Sequence, residues 1–348
     1  MVRWLASMKS NAFKIAAAAV VSVVLLYFFG RSVEWKDVPA QIANVNVPLF
    51  LLAVLLSGFH FLTRALRWQV LVAQEKLNVR FRNLLAAQIL GFTVSALFPG
   101  RLGELAKPIN LARKEGIRTG FAVGTAVVER LFDAVILCLL LGLFLLARPL
   151  FASSWPVGKE AGERLTFLGI SGVVLAVSLL AIILALYFFR ERAVRVVGFV
   201  CKPFPRAQAT TQRLMSEFID GLRFFRSVRQ VVLYAVLSLA VWLGIVFFYW
   251  VFFLAYHVHV PYYLVIPYVF LTAIGASIPT PGMVGGFHYF SKLGMVSLLR
   301  IAPARAAGLT VVVHALQIAV TCLLGYAILA REGLTLLQLK KMGESEQL

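Results

Sequence analysis

Six apolar stretches run through this chain, at residues 12–29, 48–66, 121–147, 165–189, 230–256 and 305–330. Each is close to or beyond the ~20 residues that an α-helix needs to cross a hydrocarbon core. Of the 348 residues, 61% are hydrophobic and 14% are charged, too little polar surface to cover a water-soluble globule of this size. The intervals between stretches are too small for a separate soluble domain. Residues 1–348 therefore read as one all-α, polytopic integral membrane domain.

The formal net charge is +19. The basic residues lie in short intervals between apolar stretches rather than on a soluble domain with stacking aromatics, so nucleic acid is not an expected partner. The interval 190–229 holds nine Lys/Arg against Glu191, Glu217 and Asp220 and reads as a basic cytoplasmic loop. Counted outward from it, the N-terminus lies inside, 30–47 outside, 67–82 inside, and the short 331–348 tail with Lys340 and Lys341 inside. The expected location is the inner membrane. Such a basic face favours anionic lipid headgroups. Arg3, Lys9 and Lys14 precede the first stretch, but no small-residue cleavage pattern follows it, so it reads as a retained span.

Two segments complicate a simple count of crossings. Ser95-Ala-Leu-Phe-Pro-Gly-Arg-Leu-Gly-Glu104 breaks one, and Ser277-Ile-Pro-Thr-Pro-Gly-Met-Val-Gly-Gly-Phe-His288 breaks the other. Their Pro-Gly pairs, Pro99-Gly100 and Pro281-Gly282, stand 182 residues apart, and the same offset superposes Trp68 on Trp250, Ser95 on Ser277 and Gly103 on Gly285. Arg101, Lys107, Arg113, Lys114 and Arg118 follow the first break, and a simple crossing would put them all outside. The conflict disappears if residues 83–98 enter from the cytoplasm, turn at Pro99-Gly100 and return as a helix from 101 to about 112. The same argument gives a second hairpin over 262–299, entering from outside and turning between Pro279 and Gly282. About six full spans and two re-entrant hairpins then form halves 12–147 and 165–330 of opposite orientation, an inverted repeat of the kind found in carriers. Two ordinary kinked spans are the competing reading.

Charged residues inside apolar stretches are the candidate functional groups. Arg101 and Glu104 share a face at i and i+3 beyond the first break, where free helix N–H groups and Arg101 suit a phosphate. A structural clip with Arg101 snorkelling to the interface is the alternative. Glu129, Arg130 and Asp133 lie in the middle third of the 121–147 stretch and should form a partly neutralised cluster with one carboxylate to spare. A headgroup site, a proton site or a structural salt bridge would each fit. Arg64 and Arg67 stand beside Trp68 at the cytoplasmic end of the second span, for headgroup recruitment or for interfacial anchoring. His288 follows the second break, as a proton relay or a structural histidine.

Catalytic and cofactor chemistry finds little support. Cys138, Cys201 and Cys322 have no paired spacing, and His257-Val-His259 sits in a short outer turn without nearby Cys or carboxylate, so no metal is expected. No Gly-rich nucleotide loop or Ser/His/Asp arrangement is recognisable, so neither a cofactor nor enzymatic function is expected.

Leu97-Phe-Pro-Gly-Arg-Leu-Gly-Glu104, Glu129-Arg130-x-x-Asp133, Arg64-Ala-Leu-Arg-Trp68 and Ile278-Pro-Thr-Pro-Gly282 together resemble the flippase-like family. That family is typified by the transmembrane region of lysylphosphatidylglycerol synthetases. The resemblance covers nearly the whole chain and implies a lipid translocase or lipid-binding carrier. The synthetases carry a cytosolic aminoacyl-transferase domain, for which residues 331–348 leave no room, so aminoacylation is not expected. Members often read Pro-Gly-Gly-x-Gly-x-x-Glu after the second break. Here Met283 replaces a glycine and His288 stands in place of the glutamate.

The leading expectation is a carrier that moves or binds a phosphate-bearing lipid, anionic, polyprenyl-linked or aminoacylated, through a polar groove between the hairpins. Arg101 would bind the phosphate, Arg64 and Arg67 recruit it, and Glu129, Arg130 and Asp133 balance its charge or couple protons. The alternative is a membrane-embedded enzyme or accessory factor of polyprenyl-, hopanoid- or phospholipid-modifying pathways, with a separate lipid-synthesis enzyme as a further candidate partner.

Overall fold

The computed structural model describes residues 43–98, 101–147, 159–200, 205–222, 224 and 227–333, together with 27, 36 and 39. The expected first span, the Pro99-Gly100 pair and the tail beyond Gly333 lie outside the described residues. Among the described residues there are eleven α-helices and no strand. They are α1 (Val47–Val72), α2 (Phe81–Leu97), α3 (Gly103–Glu115), α4 (Thr119–Leu146), α5 (Lys159–Phe188) and α6 (Arg190–Val200). Then follow α7 (Pro205–Gly221), α8 (Val228–Ala255), α9 (Val265–Ser277), α10 (Gly286–Ser297) and α11 (Pro303–Glu332).

Among the described residues three helices, α1, α8 and α11, are long enough and contain a sufficiently apolar stretch to cross a membrane. The 28-residue α4 is as long but carries Glu129, Arg130 and Asp133. Local signals define the ends. Asn46 caps α1 by accepting from Leu49 N at 3.2 Å, Ser227 caps α8 by accepting from Gln230 N at 3.4 Å, and Pro303 opens α11. Large apolar side chains such as Leu55, Phe59 and Phe167 stay exposed along α1 and α5, as lipid contact requires. α1 and α8 pack antiparallel, with Asn46 N bonded to Ala255 O (2.7 Å) at one end and Arg67 reaching Ser238 near the other.

Both broken segments form antiparallel helix pairs, α2 with α3 and α9 with α10. Their helices have 17, 13, 13 and 12 residues, about 18–26 Å at 1.5 Å per residue, shorter than the ~30 Å hydrocarbon core. Each pair crosses where two glycines touch. A Cβ on Gly103 would lie 1.7 Å from the Gly91 carbonyl oxygen, and one on Gly286 would lie 2.4 Å from that of Gly275. The second turn runs from Pro279 through a 3-10 turn that starts at Pro281, with Gly282, Met283 and Gly285 all at positive φ. The tips meet: a Cβ on Gly282 would stand 3.0 Å from the Ala96 carbonyl oxygen at the end of α2.

The interval 190–229, read as a basic loop, is largely helical. α7 docks on α4 through Gly120, Gly124 and Gly221, and Asp220 is buried there against Arg118 (2.7 Å) and Arg190 (3.0 Å). A charge-rich stretch can fold on a membrane protein when its acids meet the cations of the adjacent helix. Arg118 also bridges to Glu75 and, by that hydrogen bond, holds the Glu75 carboxyl below its usual range. Glu115 closes the base of the first hairpin, accepting from Lys76 Nζ (2.8 Å), Asn83 Nδ2 (2.6 Å) and Arg80 N (3.2 Å).

The glycine crossings predict that Gly103→Ala and Gly286→Ala each destabilise the protein by roughly 1–3 kcal/mol, the usual cost of overpacking. Gly142→Ala has no atom within 4 Å of the new Cβ and should leave the melting temperature in detergent unchanged or raised. Thermal unfolding followed by loss of the monodisperse chromatographic peak measures all three.

Candidate functional site

Hairpin α2/α3 brings its returning helix against α4, and α1 closes the other side. Lys107 on α3, Arg64 and Arg67 on α1, and Glu129 and Asp133 on α4 thereby meet in the interior. Glu129 is fully buried and takes Lys107 Nζ on one oxygen, with Arg67 Nη2 at 3.1 Å and Arg130 Nη2 at 2.9 Å on the other. Asp133 accepts from Arg67 Nη1 at 2.6 Å and from Trp242 Nε1 at 3.0 Å, with Arg130 Nη2 at 3.1 Å. The i,i+3 pairing of Arg130 with Asp133 agrees with the sequence, as does that of Arg101 with Glu104 at 3.4 Å. Glu104 also lies 3.5 Å from Arg130, so the two pairs join into one network.

Two expectations need correction. Arg64 and Arg67 are not exposed anchors: α1 continues as helix to Val72, and both side chains turn into the protein, 6% and 0% exposed, beside the acids of α4. The cluster also has no carboxylate to spare. Arg64, Arg67, Arg101, Lys107 and Arg130 surround Glu104, Glu129 and Asp133, five cations against three anions among the described residues. Bare surplus charge in a low-dielectric interior is costly, and the arrangement favours an added anion. Its open edge is formed by Arg101, Glu104 and Arg130, whose side chains are about one-third exposed. Arg101 sits there at φ 54°, a left-handed conformation uncommon for a non-glycine residue.

Arg64 faces two ways. Its guanidinium is 3.6 Å from Asp133 and 3.8 Å from Glu129, beyond hydrogen-bond range, and Nε and Nη1 have no hydrogen-bond partner. It stacks over Phe92 (5.3 Å) and lies 5.9 Å from the Trp242 ring centroid. The same residue lines a cavity of about 180 Å³ between α1, α2, α8, α9 and α11. The cavity lies between the two hairpins, where a polar groove is expected, but it is largely apolar: its few polar groups include His60, Tyr249, Gln317 and His314.

His288 lies near this cavity, buried at the start of α10, where its Nδ1 is 3.5 Å from Gly285 N. Gly103 serves close packing, and Gly282 and Gly285 take left-handed or other positive-φ turns. Sequence reading missed Lys107, Trp242 and His314. Lys107 enters the sequence reading only as one of the basic residues on the returning helix, although the amphipathic pattern of 103–115 could place it on a buried face. Lone Trp242 and His314 inside apolar spans carry no local signal.

These features can be compared with known proteins. The family model described as the lysylphosphatidylglycerol synthase TM region matches residues 15–325. The chain belongs to this family. It is also similar to UPF0104 membrane protein MJ1595 of Methanocaldococcus jannaschii, with 23% identity over 333 residues, covering 92% of this chain and 95% of that protein. No solved structure matches. The match to the lysylphosphatidylglycerol synthase TM region takes in both hairpins and every member of the charged cluster.

The buried network predicts strong, non-additive effects. Arg67→Ala, which takes from Asp133 its shortest charged donor and from Glu129 one of its cations, should cost about 3–5 kcal/mol. Arg67→Ala combined with Asp133→Ala should be less destabilised than the two single changes summed, a coupling that a double-mutant cycle on detergent melting curves measures.

Proposed function

We propose that this membrane protein is a carrier for a lipid with an anionic, phosphate-bearing headgroup, and that the network around Glu129 and Asp133 receives that headgroup. The observation that carries the reading is the surplus of two cations in a network mostly removed from solvent. A phosphate would supply the missing negative charge, and Arg101 and Arg130 stand where the network opens. The acyl chains would remain beside the exposed apolar faces.

The topology that suits this role is an inverted repeat. The antiparallel pairing of α1 with α8 supports it, as do the two glycine-crossed hairpins that meet at their tips. In this arrangement the hairpins enter from opposite faces of the inner membrane, with both termini cytoplasmic. The abutting tips form a barrier that the headgroup passes as the halves rock. Membership of a lipid-synthase membrane family is consistent with a lipid substrate.

Arg101→Ala tests the assignment. Its ion pair with Glu104 is partly exposed and contributes under about 1 kcal/mol to stability, so the variant should fold and melt normally. In proteoliposomes, translocation of a fluorescent anionic phospholipid should fall by at least about tenfold, the loss expected when one charge-assisted contact is removed. Unchanged translocation overturns the role of Arg101. Covalently altered lipid in the reaction mixture would instead indicate an enzyme.

A further inference from the structure

The histidines at the cavity form a second ensemble of groups, apart from the charged network. His314 on α11 is 4% exposed, lines the cavity, and has an Nε2 with no hydrogen-bond partner. Its ring is fixed on the other sides. Phe287 stacks on it with centroids 4.8 Å apart and planes at 20°, and His288 meets it edge-on at 4.7 Å. The ring is thus held in one orientation with a single nitrogen unsatisfied.

The surroundings explain what that nitrogen is suited to do. Among the cavity-lining groups, α1 contributes His60 and Arg64, α8 contributes Tyr249, and α2 and α9 contribute no ionisable side chain. Tyr268 of α9 is turned away to Ser291, and His60 Nδ1 bonds to Ser57 O. Tyr249 accepts from Gln317 Nε2 at 3.1 Å, and from α10 the group beside His314 is His288. Among the described residues no carboxylate lines the cavity, and the fixed charge they place there is the cation of Arg64. With the cavity empty, a proton on His314 would have no counter-charge. An anion seated against Arg64 supplies one.

We propose that His314 Nε2 takes up a proton from water when an anionic headgroup enters the cavity and releases it when the headgroup leaves, so that lipid and proton move together. The proposal rests on the anionic-lipid reading above. By linkage the two binding events strengthen one another: the anion favours the protonated ring, and low pH favours the anion. His288 holds the ring in place through its edge contact, so its role is positioning. The driving force for movement would then be a proton gradient, which fits a chain in which no nucleotide-binding motif is recognisable.

Short-chain phosphatidylglycerol is a suitable probe, because its phosphodiester stays singly charged over roughly pH 5 to 9 and binding changes then report on the protein. In weakly buffered detergent solution, wild type should take up protons as the lipid binds, detected with a pH indicator dye. Affinity should fall by up to about tenfold per pH unit as pH rises through the linked range. His314→Gln, with His314→Asn as a second variant if the first does not fold, should still bind the lipid but with a flat pH profile and no proton uptake. An unchanged slope in these variants overturns the proposal, as does a variant that shifts affinity but keeps the uptake. Binding by wild type that is independent of pH and takes up no proton overturns the proton site alone. Absence of binding at every pH overturns the lipid reading with it.

Discussion

Burial of the Glu129 carboxylate is the constraint on which the rest of the structure depends. An ionised carboxylate removed from water costs several kcal/mol unless cations and hydrogen-bond donors replace the solvent. Here they come from α3, α1 and α4, in Lys107, Arg67 and Arg130. No one helix can surround a charge placed on its own face, so the cluster requires α3 to return beside α4 and α1 to pack across both. The first hairpin is thereby held to the helix that follows it by charge as well as by apolar packing.

That requirement gives the glycines their purpose. Lys107 reaches Glu129 only if α3 approaches α2 closely enough for the hairpin to fit between its neighbours, and Gly91 against Gly103 provides that approach. The α2 side of the hairpin is held in turn by α11, where Thr93, its hydroxyl shared between Ile89 O (2.9 Å) and Thr321 O (3.2 Å), fills the space left by Gly325. Gly275 and Gly286 do the same for the second hairpin, whose interior holds the Tyr268–Ser291–Thr310 hydroxyl chain. The two hairpins share a shape and differ in chemistry.

Much of this was legible in the chain. The two Pro-Gly pairs marked where both helix pairs break, because proline and glycine act locally on the backbone. The spacing of Glu129, Arg130 and Asp133 correctly put Arg130 on Asp133. The sign of the cluster was not legible. Helical spacing says which residues of one helix share a face but not which face of another helix it meets, and Arg64, Arg67 and Lys107 arrive from elsewhere in the chain. The apolar run ending at residue 66 also suggested that α1 stopped at its arginines, whereas Arg67 is paired and the helix continues to Val72. Met283 marks another limit: it keeps the left-handed backbone, φ 58°, at a position where the family resemblance implies glycine.

Arg64 is where the charged network and the apolar cavity become one system. Its guanidinium lies too far from Asp133 and Glu129 to hydrogen-bond to either, yet close enough to be stabilised by their charge. A long cationic side chain held by field and by aromatic faces, rather than by directed bonds, can change partner at little cost. Arg67 beside it is fixed by Asp133 and Ser238 and cannot. An anion in the cavity would compete with the two carboxylates for Arg64 alone, leaving the Lys107–Glu129 and Arg67–Asp133 pairs intact. The division of labour between two arginines three residues apart lets the network stay folded while one of its members engages a ligand.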